Sequence, residues 1–201
     1  MLALRPLLAL CAALVLVGGC ASHRYSTLPE LGEDFQERQT RLSPFDHWQL
    51  QGRIAVRTAD DGFTASLRWL QDGREVDARL HGPLGVGAVH LDGNARRLVL
   101  ERGNGETEVL RNPERALRER YGWTVPVGSF RYWVLGIQDP RSEAELVIGD
   151  KGLLQSLSQD GWDVTYRDYQ RVAAARLPRK LVARSGDIKL TVSIKDWRIP
   201  Y

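Results

Sequence analysis

Residues 76–91 read V-D-A-R-L-H-G-P-L-G-V-G-A-V-H-L. Val76, Ala78 and Leu80 fall on one face and Asp77, Arg79 and His81 on the other, the period of two that marks a half-buried strand. Val86 to Leu91 is again strand-like, so Gly82-Pro83-Leu84-Gly85 is predicted to be the turn of an antiparallel hairpin. Turn tips are normally polar because they stand in water. A leucine stands at this one, between glycines and a proline that give it little to pack against. Either Leu84 folds back onto the core or it is an apolar finger aimed at something greasy, and the hairpin alone leaves both readings open.

The same alternation extends on both sides of the hairpin. Trp48, Leu50, Ile54 and Val56 alternate with Gln49, Gln51, Arg53 and Arg57. Beyond a turn at Ala59-Asp60-Asp61-Gly62, Phe63, Ala65, Leu67 and Trp69 alternate with polar residues. Leu98–Leu100 and Thr107–Leu110 form a further pair around Gly103-Asn104-Gly105. Later strands are predicted at 153–157, from Trp162 through Val164 and Tyr166, at 180–184 and at 188–194. Short strands joined by Gly, Asn and Asp turns describe an antiparallel meander.

Three helices are expected. Leu31, Phe35 and Leu42 recur at helical spacing from Glu30, and Ser43-Pro44 ends that segment. Asn112-Pro113 reads as an N-cap and first helical residue, with Ala116, Leu117 and Tyr121 on one face. A third helix is predicted from Ser129 to Leu135, with Phe130, Trp133 and Val134 inward and Gly136 at its C-terminus. The fold class is therefore mainly β, about ten strands in one antiparallel sheet with one helix before them and two inserted. So long a sheet must curl or close. Whether its concave face is packed or left as an apolar cavity cannot be read from alternation, and the six tryptophans suit either.

Residues 1–19 read as a signal peptide. Arg5 supplies a basic start, Leu7–Val17 an apolar core too short to span a bilayer, and Val17-Gly18-Gly19 leads into Cys20. Small residues before a cysteine resemble a bacterial lipoprotein signal, in which cleavage leaves Cys20 as the lipid-bearing N-terminus. The other cysteine, Cys11, lies within the removed segment, so no internal disulfide is expected. Residues 20–29 then form the lipidated N-terminus and a polar tether, and 30–201 a single domain. Ala21, rather than Asp, after the cysteine favours the outer membrane, on its periplasmic face.

Removing Arg5 lowers the formal charge from +3 to +2, and charges are interspersed throughout, which argues for no nucleic-acid partner. There is no G-x-S-x-G, H-E-x-x-H, Walker A or G-x-G-x-x-G arrangement, so no enzymatic activity, catalytic residue or cofactor beyond the covalent lipid is expected. His81 and His90 flank one hairpin and could face each other, but no third ligand joins them and no metal site is predicted.

Four segments together resemble the LolB family of outer-membrane lipoprotein acceptors. They are Trp48-x-x-x-Gly52-Arg53-Ile54-Ala55-Val56; the Gly82-Pro83-Leu84-Gly85 tip; Tyr121-Gly122-Trp123 to Pro126 with Arg131–Gly136; and Leu177-Pro178 with Ile188-Lys189-Leu190 to Trp197. Gly136-Ile137-Gln138-Asp139-Pro140 departs from the family pattern, which carries a second proline, and Phe130 stands where an aliphatic residue is common. The resemblance implies a curled, half-open antiparallel β-barrel of ten or eleven strands covered by three helices, an apolar cavity for the acyl chains of cargo lipoproteins and a LolA-like soluble periplasmic carrier as partner. It also implies insertion into outer-membrane lipid without nucleotide hydrolysis, by a monomer. Leu50, Ile54, Leu67, Trp69, Leu80 and Trp133 are the candidate cavity residues, and Pro83, Leu84 and Gly85 the membrane-targeting tip. A lipid-anchored, lipocalin-like binder of a soluble apolar ligand, or a structural lipoprotein with a packed core, are the alternatives.

Overall fold

The structure, a computed structural model, describes residues 34–83, 87–121 and 124–199. The signal segment, Cys20, the tether and the tip residues Leu84 and Gly85 lie outside the described residues. Helix α1 (Phe35–Leu42) is followed by six strands, β1 (His47–Arg57), β2 (Gly62–Asp72), β3 (Glu75–His81), β4 (Val89–Gly93), β5 (Arg97–Arg102) and β6 (Thr107–Arg111). Helices α2 (Pro113–Tyr121) and α3 (Val127–Trp133) interrupt the meander, which resumes as β7 (Ala144–Ile148), β8 (Leu154–Gln159), β9 (Trp162–Val172), β10 (Ala175–Ser185) and β11 (Ile188–Arg198).

All eleven strands form one antiparallel sheet in the order β6-β5-β4-β3-β2-β1-β11-β10-β9-β8-β7. The first and last strands pair at the centre, and the edges β6 and β7 do not meet, so the sheet is open. The central pairing bends at Gln51/Gly52, where the register shifts by a bulge. A Cβ on Gly52 would stand 2.1 Å from the Ser193 carbonyl oxygen, so the two backbones approach this closely only because residue 52 is glycine.

Several boundaries differ from the sequence expectation. Strand β4 starts at Val89 rather than Val86, because Gly87 takes a left-handed conformation (φ +72°) incompatible with a continuous strand. Strand β10 runs eleven residues, through Pro178, where a strand was not expected. A register shift between Pro178 and Lys180 accommodates the missing donor as a bulge. Strand β7 has no counterpart in the expectation; it is an edge strand with Val147 and Ile148 about half exposed, so it lacks the alternation that reveals central strands. Helix α3 begins at Val127, two residues before the expected Ser129. Helix α1 begins at Phe35 within the described residues and buries Phe35 and Leu42 as its spacing predicts.

The inner face of the sheet divides into two unequal halves. On the β7–β11 side, Leu154, Leu157, Val164, Leu177, Leu181 and Val192 are essentially inaccessible and close onto Trp133, Val134, Leu135 and Ile137 of α3 and its exit loop. Helix α1 locks that loop in place. Arg38, fully buried, donates to the Leu135 carbonyl (2.7 Å) and the Gly136 carbonyl (3.4 Å), satisfying acceptors left over at a helix C-terminus with a positive charge. Gln39 exchanges two hydrogen bonds with the Gln138 backbone, donating at 3.1 Å and accepting at 3.2 Å. Among the described residues, nothing equivalent fills the concavity on the β1–β6 side.

Candidate binding cavity

A row of aromatic rings runs across the inner face and fixes α3 over the sheet. Trp197 meets Trp48 (5.3 Å between centroids), Trp48 meets Trp69 (5.1 Å), and Trp69 stacks on Phe130 of α3 (5.7 Å, planes 3° apart). Phe130 continues edge-on to Trp133 (6.0 Å), and Trp133 to Trp162 (6.4 Å). Such contacts add about 0.5–1.5 kcal/mol each to the burial of large rings. The row acts as a partition between the packed half of the domain and the hollow one.

On the hollow side lies an apolar cavity of about 700 Å³. Its wall comes from inward positions of β1–β6, among them Ile54, Leu67, Trp69, Leu80, Leu91 and Leu110, and its cover from Leu117 of α2 and from Val125, Val127 and Phe130. Among the described lining residues only Thr64 and Arg102 carry polar side chains. Ile54, Leu80, Leu91 and Val127 point inward yet are only partly buried, because none of the described residues covers them. Burying such a side chain fully is worth about 1.5–3 kcal/mol, so the cavity holds an unrealised driving force for an apolar ligand.

Ile54, Leu67, Trp69 and Leu80 line this cavity as the strand alternation allows. Leu50 and Trp133 are placed elsewhere, both wholly inaccessible and within the packed core. Leu50 shares the inward face of β1 with Ile54, but lies on the other side of the Gly52 bulge, beside Trp48, where the core closes. Trp133 sits one helical turn beyond Phe130, on the packed side of the ring row, with its indole N–H held by the Gln159 side-chain oxygen at 2.8 Å. The sequence reading omitted Leu91, Leu98, Leu100 and Leu110, which extending the alternation through β4–β6 would have found. Leu117, Val125 and Val127 carried no signal, because their role depends on where the helices dock. Pro83, which is exposed, and Gly82 and Gly87 stand at the cavity rim.

The loop after α3 is held by a buried polar network. The Gln159 side chain accepts from Trp133 and from the Asp139 N–H (3.0 Å) and donates to the Asp139 and Ser142 carbonyls (2.8 and 2.9 Å), leaving no capacity unused. Burial pushes the Asp139 carboxyl up, but the Arg141 guanidinium at 2.5–3.2 Å, the Arg141 N–H and the Ser129 hydroxyl outweigh it and hold the carboxyl below the usual range. Beside this network, Asp60, Asp160, Asp187, Glu114, Arg118 and Arg141 line a second, polar cleft of about 1130 Å³. Burial, and then the neighbouring Asp160 charge, raise the Glu114 carboxyl.

His81 and His90 do not face each other: His81 is opposite Ser66, and His90 is opposite Arg79. Among the described residues, Asp77, His90 and Asp92 could each offer one ligand atom within 4.8 Å of the others. They lie on the outer face of β3 and β4, where His90 is already engaged by Asp77 (3.1 Å) and Glu101 (3.7 Å).

Residues 46–197 match the family model described as outer membrane lipoprotein LolB. Relatives named outer-membrane lipoprotein LolB include one from Alkalilimnicola ehrlichii, 38% identical over 200 residues (97% of each chain). Another, from Pseudomonas putida, is 36% identical over 188 residues (92% of each chain). Among solved structures, a LolA superfamily protein from Nitrosomonas europaea superposes with a TM-score of 0.51 at 9% identity, covering 84% of this chain and 94% of that one. A DUF1329 family protein from Desulfovibrio piger gives 0.52 at 8% identity, covering 84% and 91%. At these identities the structural likeness establishes the fold alone.

Proposed function

Because the chain belongs to the LolB family of outer-membrane lipoproteins, we propose that its cavity receives the acyl chains of a lipoprotein from a soluble, LolA-like carrier and releases them into the outer membrane. The observation that carries this reading is the hollow half of the sheet: about 700 Å³ bounded almost entirely by hydrocarbon, some of it only partly covered. Each methylene exposed to water costs about 0.8 kcal/mol, so acyl chains cross an aqueous space only if passed from one apolar surface to another. A transfer of this kind breaks no covalent bond and needs no nucleotide; its direction follows from the difference in affinity between donor and acceptor.

The remaining parts fit the same role. Cys20 carries the lipid that holds the domain at the membrane, and the segment Pro83-Leu84-Gly85 is the membrane-targeting element that enters the lipid and guides release. One leucine gains about 1.5–3 kcal/mol on leaving water, enough to orient a tethered domain though not to anchor it. The test is transfer of a purified triacylated lipoprotein from its carrier. The intact chain should take up the cargo in the absence of nucleotide, and Leu80→Asp, which places a charge in the cavity wall, should not.

A further inference from the structure

The outer face of the sheet carries a charge pattern that neither the cavity nor the tether uses. Arg57 pairs in register with Lys189 and Lys189 with Arg184, aligning three exposed cations on neighbouring strands; Arg68 lies directly opposite Arg79. Like charges directly opposed across a sheet destabilise it. Arg53 and Lys180 flank Ser193 from either side, and with Arg68, Arg79, Arg179 and Lys195 they outnumber Asp168 and Asp196 in the lining of a shallow groove of about 730 Å³. Arg79 is met by Asp77 (3.5 Å) and Arg179 by Asp168 (3.9 Å), while Arg53, Arg57, Lys180, Arg184, Lys189 and Lys195 pair with no carboxylate among the described residues. A chain with 28 basic and 25 acidic residues has thus gathered unpaired cations on one face. Of the aspartates at the hairpin tips of the same end, Asp60, Asp160 and Asp187 line the polar cleft, and Asp61 is exposed.

These rows lie on the flank of the sheet next to the tip. Ser66 is level with His81, where β3 ends, and the Arg57 row is four residue pairs further along in the same direction. We infer that the outer face of β1, β2, β3, β10 and β11 docks on anionic phospholipid headgroups, so that the domain lies on its basic flank when the tip meets the bilayer. This rests on the membrane-insertion reading above. It adds a lipid-charge requirement to it: cations close to an anionic surface are attracted within about one Debye length, and that attraction is screened by salt.

Lysine footprinting of the full lipidated protein tests it. Three of the four lysines, Lys180, Lys189 and Lys195, belong to this face, and Lys151 sits in the β7–β8 turn at the opposite end of the strands. The protein is reconstituted into vesicles of phosphatidylcholine alone or with phosphatidylglycerol, and acetylated with a water-soluble reagent before mass spectrometry. On the anionic vesicles the three lysines should lose reactivity by about threefold or more relative to Lys151, and about 0.5 M salt should restore it. The triple variant Arg53→Glu, Arg57→Glu, Arg68→Glu should abolish the difference. Equal labelling on both vesicles would overturn the proposal, as would protection indifferent to lipid charge that appears only when the carrier protein is added, which would assign the face to an acidic protein. Cargo uptake from the carrier, measured separately on the same triple variant, distinguishes the failure of this inference from failure of the cavity reading.

Discussion

Trp69 and Phe130 stack with their ring centroids 5.7 Å apart and their planes 3° from parallel, one on strand β2 and the other on helix α3. Both rings also line the apolar cavity. A single contact therefore holds the covering helix to the sheet and forms part of the cavity wall. The flat ring of Phe130 lies against the indole and continues the row to Trp133.

Phe130→Ala should lower stability by about 3–5 kcal/mol, the usual cost of removing a buried aromatic side chain. Phe130→Leu should cost about 1 kcal/mol, because volume is nearly kept while the stacking is lost. Denaturant titration of the two variants checks the ranking. A leucine variant as stable as wild type would mean that ring geometry contributes nothing, and equal losses that the ring rather than the buried volume carries the whole contribution.

The hollow and packed halves predict opposite responses to an acidic substitution. Leu80 is only partly buried at the cavity wall, so an aspartate there can stay hydrated: Leu80→Asp should keep the fold with a loss of about 1–2 kcal/mol and lose acyl binding. Leu157 is 1% exposed in the filled half, and Leu157→Asp should unfold the domain. Circular dichroism and binding of an acylated peptide separate the two effects.

Leu84 is predicted to matter for insertion and not for stability. Leu84→Glu should change the unfolding free energy by no more than about 0.5 kcal/mol, as exposed substitutions do. Uptake of cargo should proceed while its insertion into liposomes slows, since a charged tip enters the apolar layer at a cost. A destabilised variant would instead place Leu84 in the core.

Two carboxylates should shape the pH dependence in opposite senses. Asp139 is held below its ordinary value of 3.8, so its ionised form stabilises the fold above that pH and the contribution is lost as pH falls through the lowered value. Asp139→Asn should therefore be less stable than wild type at neutral pH, by about 1–3 kcal/mol, with the gap closing at the acid end. Glu114 is raised above 4.5, so its ionised form is disfavoured in the fold. Glu114→Gln should be slightly more stable than wild type at pH 7 and indistinguishable from it below about pH 4. Melting temperatures across pH 3–8 decide both.

The sheet was legible wherever one face is buried and the other wet. β1, β2, β3 and β11 read directly from their alternation, and the turns between them from Gly, Asn and Asp. β7 was not legible, because an edge strand with Val147 and Ile148 exposed on its outer positions has no contrast to display. The full length of β10 was hidden by Pro178, which only the bulge explains. The cavity was half legible. Alternation gives the inward direction of Leu50 and Ile54 alike, but not that the first falls in the packed core and the second on the cavity wall. That difference lies in helix docking, set by Arg38, Gln39 and the Trp69–Phe130 stack between residues far apart in sequence.

The central claim is that cargo acyl chains occupy the β1–β6 half of the domain. The most direct measurement is site-specific photocrosslinking, with a benzophenone side chain placed at Leu91 in the cavity wall or at Val99 on the opposite side of the sheet. After transfer from the carrier, the Leu91 probe should cross-link to the acyl chains of the lipoprotein and the Val99 probe should not. Cross-links from Val99 with none from Leu91 would place the lipid outside the cavity and contradict the account.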